Sequence, residues 1–241
     1  SFQAVLPNSI EMIIFFLAAA KGGFKFAPCA EDLTDKEILT YNKITNSKLV
    51  IFSSNNNLSN IFNNNVHLVG IPCDCKFDWL PKCLESYDGA DGNLYIMTSG
   101  TTGSPKAIVL SLDKLWASTN YFNSNYSKIN VKSVFWNYLP MSYLGGLYNL
   151  TFIPMSAGAK IIISDSFDTS TSFKFWSIVK KFKINILWLV PSLVRVLQQL
   201  SNRYSVTENK VFGKNIKMAL LGTAPISLFE KETFEKTFGI E

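Results

Sequence analysis

The sequence predicts an α/β fold in which mostly parallel β-strands are layered with helices. Short apolar segments alternate with helix-like segments along nearly the whole chain, a pattern typical of parallel sheets covered by helices on both faces. Of the 241 residues, 47% are hydrophobic and 17% are charged, which predicts a substantial core and excludes a disordered or collagen-like chain. The two candidate boundaries, an Asn-rich stretch at 53–65 and a linker at 72–93, both lie inside this pattern, so we expect one domain.

The strands are predicted from short runs that are apolar and often β-branched. One such run is the segment VHLVGI, which contains His67. Their length favours strands over helices, because a helix usually needs a longer periodic segment. The other predicted strands cover residues 2–6, 49–52, 94–97, 107–110, 134–138, 160–163, 186–190 and 218–221.

The helices are predicted from their periodicity and from their start and stop signals. Gly22 and Gly23 supply a stop for the first helix, and Pro191 opens a later one, where Pro is tolerated in the first turn. Three helices begin with the pattern of a capping box, at Asn8 with Glu11, Thr34 with Glu37, and Ser227 with Glu230. The predicted helices cover residues 9–22, 34–46, 111–123, 145–156, 173–182, 191–202 and 227–238.

The charge distribution gives no sign of a nucleic-acid partner. The chain has 23 Lys and Arg against 18 Asp and Glu, a net charge of +5. Only Arg195 and Arg203 offer the planar fork that pairs with guanine and phosphate. The cations form no cluster in the sequence, so we read them as a solvated surface.

We expect neither a membrane span nor a disulfide framework. The most apolar run, at 12–20, is bracketed by Glu11 and Lys21 and is shorter than the ~20 residues that a span requires. It is interpreted as a buried helix. Four cysteines in a chain of this length favour a reducing, cytoplasmic setting.

One cluster of potential zinc ligands is rejected. His67 is followed by Cys73, Cys75 and Cys83, and imidazole and thiolate groups are zinc donors. Structural zinc sites usually separate paired cysteines by two to four residues, whereas a single residue lies between Cys73 and Cys75. We therefore predict no metal site here and treat the thiols as core or surface groups.

The segment between the strands at 94–97 and 107–110 has the groups that a polyphosphate requires. Gly100 and Gly103 permit close approach of the backbone, and Lys106 adds a mobile positive charge. The alternative is an ordinary Ser/Thr/Gly-rich hairpin loop, which the density of hydroxyl groups and the Pro–Lys exit disfavour. The hydroxyl donors are Thr98, Ser99, Thr101 and Thr102.

This loop is not a Walker-type P-loop. That motif ends in Gly-Lys followed by Ser or Thr. Here Pro105 precedes Lys106 and Ala107 follows it, so the pattern fails at two positions.

The loop closely resembles the signature of the adenylate-forming (AMP-binding) superfamily, which includes acyl-CoA synthetases, peptide-synthetase adenylation domains and firefly luciferase. That signature reads S-G-T-T-G-x-P-K, usually followed by Gly. Residues 99–106 match it, and Ala107 replaces the final Gly. The resemblance extends over essentially all 241 residues and implies part of the large N-terminal α/β domain of such an enzyme.

Other segments resemble family motifs in the expected order. Residues 6–28 are similar to the early helix-and-strand segment. LPMSYLGG at 139–146 resembles the acyl-pocket motif, with Tyr143 where many members carry His. WLVPS at 188–192 resembles the strand-and-Pro element behind the substrate site. LGTAPI at 221–226 resembles the adenine-side turn G-G-A-P-L, with Thr223 in place of the second Gly.

The resemblance implies a two-step reaction. A carboxylate attacks the α-phosphorus of Mg-ATP to give an acyl-adenylate and pyrophosphate, and a thiol, most often that of coenzyme A, then takes the acyl group. On this basis Lys106 and Thr98 are the expected catalytic residues, and Tyr143 and Gly145 line the acyl pocket. The implied phosphate-binding residues are Thr98, Ser99, Gly100, Thr101, Thr102, Gly103 and Lys106, and the implied adenine and acyl junction is Gly222, Thr223, Ala224 and Pro225.

The resemblance also names parts that these residues do not include. The family's magnesium-binding Glu, its ribose-binding Asp and a mobile C-terminal lid domain with a catalytic Lys are expected beyond residue 241. The chain begins at Ser1 without Met and ends directly after a predicted helix. We therefore expect residues 1–241 to be a partial AMP-binding domain, truncated at both ends, that is catalytically silent alone.

The expected substrate is a small-molecule carboxylic acid with an uncharged acyl group. Amino-acid-activating relatives usually carry an Asp early in the acyl-pocket motif, and no acidic residue lies between Pro140 and Leu150. Acyl-CoA ligase therefore ranks first. Amino-acid or carrier-protein-linked adenylation and a non-catalytic nucleotide-binding remnant remain as alternatives.

Overall fold

The chain forms two compact units. A computed structural model describes residues 1–54, 58, 60–62, 65–71, 92–98, 105–125 and 129–240. The first unit comprises Ser1–Ser118 and Pro140–Tyr148, and the second comprises Thr119–Leu139 and Asn149–Glu241. The chain thus passes between the units at positions other than the Asn-rich stretch and the linker.

The first unit is built on a six-stranded sheet with the order β4-β3-β1-β2-β5-β6. Every neighbouring pair is parallel except β5 and β6, which are antiparallel. This confirms the prediction of a mostly parallel α/β arrangement. The strands are β1 (Phe2–Val5), β2 (Lys25–Cys29), β3 (Leu49–Ser53), β4 (His67–Ile71), β5 (Asn93–Thr98) and β6 (Lys106–Ser111).

Helices α1 (Ile10–Gly22), α2 (Asp35–Thr45) and α3 (Leu112–Asn125) accompany this sheet. The Phe16 ring of α1 lies edge-on to Phe26 of β2, with ring centroids 6.1 Å apart. Ile38 of α2 packs with Val5 and Val50 in a second buried cluster. Burying such apolar side chains stabilises the unit by about 1.5–3 kcal/mol for each of them.

The second unit contains two parallel strand pairs, β7 (Val134–Asn137) with β8 (Lys160–Ile163) and β9 (Ile186–Leu189) with β10 (Met218–Leu221). Asn185 joins the pairs, because its backbone N–H donates to the Val134 carbonyl at 3.1 Å and its side-chain oxygen accepts from the Val134 N–H at 2.8 Å. The helices are α4 (Ile153–Ser156), α5 (Thr169–Phe182), α6 (Pro191–Ser201), α7 (Val206–Gly213) and α8 (Leu228–Phe238).

The core of the second unit lies between these strands and helices. It combines Leu187 and Leu189 of β9 with Phe175 of α5 and Phe238 of α8, all nearly inaccessible to solvent. Aromatic pairs dominate the core, as with Trp136 and Phe175, whose ring centroids are 5.3 Å apart. Such rings bury more apolar area than aliphatic side chains do.

Two of the three predicted capping boxes are confirmed. Thr34 with Glu37 begins α2, and Ser227 with Glu230 begins α8, each with both reciprocal hydrogen bonds. The prediction at Asn8 is wrong, because Ser9 is the N-cap and accepts from the Met12 N–H at 3.3 Å.

Other elements also differ from the strands and helices predicted above. Strand β2 was implied only by the resemblance of residues 6–28 to the family's helix-and-strand segment. Helix α7 was not predicted, although Ser205 with Glu208 forms a capping box at its start. Helix α5 begins at Thr169 rather than 173, because the Asp168 carboxylate accepts from the Thr171 N–H at 2.7 Å. Gly145–Phe152 forms a π-helical segment rather than an α-helix.

Among the helices that the structure describes, none combines the length and the apolar character that a membrane crossing requires.

An ion pair joins α6 to α8 at the surface of the second unit. The Arg195 Nε lies 2.6 Å from a carboxylate oxygen of Glu230. The guanidinium of Arg195 and the hydroxyl and N–H of Ser227 lower the pKa of Glu230 to about 2. Because the folded pKa lies below the unfolded value of about 4.3, the contribution is present above that unfolded value and is lost as pH falls towards the folded one.

We predict that Glu230→Gln lowers the free energy of unfolding near neutral pH, and that its difference from the wild type shrinks as the pH falls from about 5 to about 2. Urea unfolding at a series of pH values measures this difference. Glu232→Gln is the matched control, because it removes an exposed carboxyl of the same helix that does not bond Ser227 or Arg195. A pH-independent effect of Glu230→Gln would contradict the assignment.

Candidate functional site

The β5–β6 hairpin positions both described ends of the predicted phosphate loop. Thr98 is the last residue of β5 and pairs in register with Lys106, the first residue of β6. The Thr98 hydroxyl donates to the Lys106 carbonyl at 3.3 Å, and the Lys106 side chain is exposed. The antiparallel pairing therefore holds a hydroxyl and a mobile ammonium at the same end of the sheet.

Most of the loop itself, Ser99 to Ser104, lies outside the described residues. So do the predicted phosphate ligands Ser99, Gly100, Thr101, Thr102 and Gly103, whose assignment stays a prediction. The described residues Thr98, Pro105 and Lys106 show only that the segment connects two adjacent strands, as the sequence predicts.

Tyr143 lies beside the same end of the first unit's sheet. It lines a small cavity together with Cys29 at the end of β2 and Met97, the neighbour of Thr98 in β5. Strands β2 and β5 are parallel, so their carboxyl ends meet at one edge. In open α/β sheets, ligands usually bind at that edge. Tyr143 is 46% exposed, which leaves its ring accessible to a ligand.

The backbone around Tyr143 is fixed by local and distant contacts. The Tyr143 N–H donates to the Pro140 carbonyl at 3.2 Å. The Met141 N–H donates to the Asn8 side-chain oxygen at 2.8 Å, which explains why Asn8 does not cap α1. Gly145 then opens the π-helical segment, a local geometry that is frequent at functional sites.

Two ionisable groups in the wall of this cavity are held neutral. Burial raises the pKa of the Cys29 thiol to about 12, against the opposing effect of the Gln3 side-chain hydrogen bond. Burial, followed by the proximity of Tyr143 and Cys29, raises the pKa of Tyr41. Cys29 is therefore a packed apolar group rather than a reactive thiolate.

The turn Gly222–Pro225 follows β10 in the second unit. The Gly222 N–H donates to the Leu189 carbonyl at 3.1 Å, which continues the β9–β10 pairing for one more residue. Thr223, Ala224 and Pro225 are exposed. The turn then leads into the N-cap of α8, so its backbone is held between a strand end and a capped helix.

Thr223 adopts a strained backbone conformation, with a φ of 74°. A positive φ is an outlier for a β-branched residue. The family motif that residues 221–226 resemble has Gly where this chain has Thr223. In Gly the left-handed conformation carries no steric cost. Thr223 therefore carries a backbone strain that Gly at this position would not.

The predicted site residues thus fall into two groups. Thr98, Lys106, Tyr143 and Gly145 belong to the first unit, and the Gly222–Pro225 turn belongs to the second. Within the first unit the cavity connects Tyr143 with the strand that carries Thr98.

The described residues contain no group of three or more His, Cys, Asp and Glu side chains arranged to hold a metal ion. Cys73, Cys75 and Cys83 lie outside the described residues, so the rejection of zinc stays a prediction. His67 is an exposed residue of β4.

A model of the AMP-binding enzyme family matches residues 4–241. The chain belongs to the AMP-binding enzyme family.

Curated proteins similar to this family member include CoA ligases. The chain is 27% identical over 210 residues to the long-chain-fatty-acid–CoA ligase FadD13 of Mycobacterium tuberculosis, covering 81% of this chain and 40% of that protein. It is 28% identical over 119 residues to the acetyl-coenzyme A synthetase of Streptomyces avermitilis, covering 48% and 18%. The matched regions therefore span less than half the length of these relatives.

Solved structures share the fold. The N-terminal domain of FACL13 from Mycobacterium tuberculosis, solved with an inhibitor, superposes with a TM-score of 0.71 at 21% identity, covering 97% of this chain and 59% of that one. ATP-bound MatB from Rhodopseudomonas palustris superposes with a TM-score of 0.80 at 19% identity, covering 99% and 47%.

The sequence analysis did not identify one buried polar group, the indole N–H of Trp188. The Trp188 indole N–H is buried and has no hydrogen-bond partner among the described residues, and it lies against Gly222. The sequence places Trp188 in a recognisable motif, but only the packing reveals that its N–H lacks an acceptor.

We predict that Thr223→Gly raises the free energy of unfolding by about 0.5–1 kcal/mol, because relief of the left-handed strain exceeds the added chain entropy of Gly. Urea unfolding measures the change.

Gly239→Ala is the reciprocal control. Gly239 has a φ of 63°, and the nearest atom to a Cβ placed there is 3.9 Å away, so the substitution adds strain without a clash. We expect it to destabilise by about 1 kcal/mol. A destabilising Thr223→Gly would show that the threonine side chain stabilises the turn in another way.

Proposed function

We propose that this chain provides the ATP-binding part of a ligase that activates a carboxylic acid as an acyl-adenylate. Residues 1–241 are a partial AMP-binding domain, truncated at both ends, and the C-terminal lid domain lies outside them. A carboxylate oxygen attacks the α-phosphorus of ATP and pyrophosphate leaves. The sulfur of coenzyme A, the second substrate, then attacks the acyl carbon and AMP leaves.

The pairing of Thr98 with Lys106 is the observation that carries this proposal. It brackets the loop whose sequence is typical of the family. Thr98 and the loop residues 99–103 hold the phosphates, and Lys106 neutralises the charge that develops on the departing pyrophosphate. An anionic carboxylate approaches phosphorus only when the charges on the phosphates are screened, so an exposed ammonium at this position suits the chemistry.

The remaining residues bind the two other parts of the substrates. The backbone of Gly222, Thr223, Ala224 and Pro225 lines the junction of adenine and acyl group. Tyr143 and Gly145 shape the acyl pocket, and Cys29 gives that side an apolar, uncharged wall.

The substrate class follows from the charges near Tyr143. No acidic residue between Pro140 and Leu150 is available to bind an α-ammonium group, so an uncharged acyl group is favoured over an amino acid. The resemblance to CoA ligases supports coenzyme A as the thiol. The buried Cys29 thiol is not an acyl acceptor, because its raised pKa keeps it protonated.

ATP is used as its magnesium complex. The described residues supply no cluster of acidic side chains for the ion, and its main ligand is expected beyond residue 241. Magnesium would screen the phosphate charges when bound. The free, buried thiol of Cys29 fits a reducing compartment such as the cytoplasm.

We predict that Lys106→Ala slows adenylate formation by about 10²–10³, because it removes a group that stabilises developing charge. Acid-dependent exchange between ATP and pyrophosphate, in the complete gene product that carries these residues, measures the step. Lys25→Ala is the control, since Lys25 is an exposed lysine at the opposite end of the same sheet. Equal exchange rates in the two variants would identify Lys106 as an ordinary surface lysine.

We predict that Tyr143→Ala shifts the preference towards bulkier acids and leaves the affinity for ATP nearly unchanged. Each methylene in a pocket contributes about 1–3 kcal/mol to discrimination, so the shift is graded with chain length. The rate of exchange across a series of acids measures the preference. Tyr148→Phe, which removes only the hydroxyl that bonds Ser118, is the control for disturbing this segment. Weaker ATP binding with an unchanged acid preference would place Tyr143 outside the acyl pocket.

A further inference from the structure

Each of the four strands described in the second unit begins at a lysine or shortly after one. Lys160 is the first residue of β8, and Lys217 directly precedes β10. Lys132 lies two residues before β7, and Lys183, the C-cap of α5, lies three residues before β9. The same charge therefore recurs at the amino end of every one of these strands.

Backbone contacts bring the four strand starts together. The Asn185 side-chain N–H donates to the Lys132 carbonyl at 3.0 Å, and the Lys217 N–H donates to the Asn185 carbonyl at 2.8 Å. On the other side of β7, the Lys160 N–H donates to the Ser133 carbonyl at 2.9 Å. Because neighbouring strands lie about 4.8 Å apart, lysines that are distant in the chain form a row at the amino edge of these strands.

This edge carries charge of one sign. The segments that lead into the strands, 129–133, 157–160, 180–185 and 213–217, contain no Asp or Glu. Their lysines are exposed, and none forms an ion pair with another described residue. The acidic residue nearest to β8 in the chain, Asp165, follows the opposite, carboxyl end of that strand. The lysines of these segments, called the lysine edge, are Lys132, Lys160, Lys180, Lys181, Lys183, Lys214 and Lys217.

Exposed apolar side chains lie among these lysines. Val131, the neighbour of Lys132, is 73% exposed, and Phe182, between Lys181 and Lys183, is 38% exposed. The Lys181 ammonium lies 5.1 Å from the centroid of the Phe182 ring. Lysines interspersed with exposed apolar groups suit the surface of a lipid bilayer, because the ammonium groups meet anionic headgroups while the apolar groups enter the interface.

The type of cation favours lipid over nucleic acid as the partner. Arginine has the planar fork that pairs with guanine and with phosphate, and the lysine edge contains none. The two arginines of this unit contact other groups, since Arg195 pairs with Glu230 and Arg203 lies over the Phe173 ring. Anionic headgroups move laterally to meet point charges, so a lipid surface requires neither a shaped groove nor an arginine fork.

We propose that the lysine edge binds the anionic surface of a lipid bilayer, with Val131 and Phe182 inserted among the headgroups. The bound protein is peripheral to the bilayer. Each lysine near such a surface strengthens binding by about fivefold, and added salt weakens it by screening. The proposal does not depend on the proposed function, because no residue of the lysine edge belongs to the candidate site.

Co-sedimentation of the 241-residue chain with lipid vesicles tests the proposal. Vesicles of equal amounts of phosphatidylcholine and phosphatidylserine are compared with vesicles of phosphatidylcholine alone, at low and at high salt. The edge variant combines Lys132→Gln, Lys160→Gln, Lys183→Gln and Lys217→Gln. The control variant removes the same net charge from exposed lysines of the first unit, through Lys21→Gln, Lys36→Gln, Lys43→Gln and Lys114→Gln.

We expect the wild type to bind the anionic vesicles and not the neutral ones, with an affinity that falls as salt is added. The edge variant should bind at least a hundredfold more weakly, since it loses four lysines at about fivefold each, and the control variant should lose less than tenfold. Val131→Ser should weaken binding about fourfold, the equivalent of one buried methylene.

Urea unfolding of both variants checks that the substitutions leave the fold intact. If the edge variant is unstable, the double variant Lys160→Gln with Lys183→Gln takes its place, with an expected loss of about 25-fold.

Three results would overturn the proposal. The first is an absence of binding to the anionic vesicles at low salt. The second is an equal loss in the edge and control variants, which would show that only net charge matters. The third is tighter binding of polyuridine RNA than of vesicles at the same salt, which would make nucleic acid the partner of the lysine edge. Each of these results leaves the proposed function untouched.

Discussion

The antiparallel pairing of β5 with β6 is the constraint on which the candidate site depends. The other neighbouring strands of the six-stranded sheet are parallel, and parallel neighbours require a long crossover connection. Reversing direction at this one place lets a short loop join adjacent strands and sets Thr98 opposite Lys106. The Thr98 hydroxyl and the backbone of Lys106 are thereby held at the carboxyl edge of the sheet, where Met97 also lines the Tyr143 cavity.

In the second unit, the exposed turn Gly222–Pro225 is held in one conformation by contacts at both of its ends. The Gly222 N–H is tied to β9, and Ser227 caps α8 a few residues later. Between these two points, Thr223 adopts a left-handed backbone conformation. Strained residues of this kind persist where the surroundings determine the backbone and are often found at functional sites. The strain at Thr223 therefore marks this turn as a candidate part of the site.

Local signals in the sequence predicted much of the fold. The capping boxes at Thr34 and Ser227 were predicted because all their hydrogen bonds lie within one helical turn. Asn8 has the same pattern, but its side chain instead binds the backbone of Met141, 133 residues away in sequence. The pattern alone does not report such a competing partner.

In the candidate site, too, the features that depend on local sequence were predicted and the others were not. The ends of the phosphate loop were predicted, because a strand on each side and the motif itself are local features. The left-handed conformation of Thr223 was not predicted, since a β-branched residue rarely adopts a positive φ. The π-helical segment that begins at Gly145 was not predicted either, since its sequence is that of an ordinary helix. The unpaired Trp188 N–H was not predicted either, because it depends on what β9, β10 and Phe122 place around the ring.

The most direct test of nucleotide binding is a titration of the 241-residue chain with pyrophosphate, followed by backbone amide resonances. The account predicts saturable binding at one site, with the largest changes in the segment from Thr98 to Lys106. Changes confined to other surface lysines, or the absence of saturable binding, would contradict the assignment of this segment as the phosphate site.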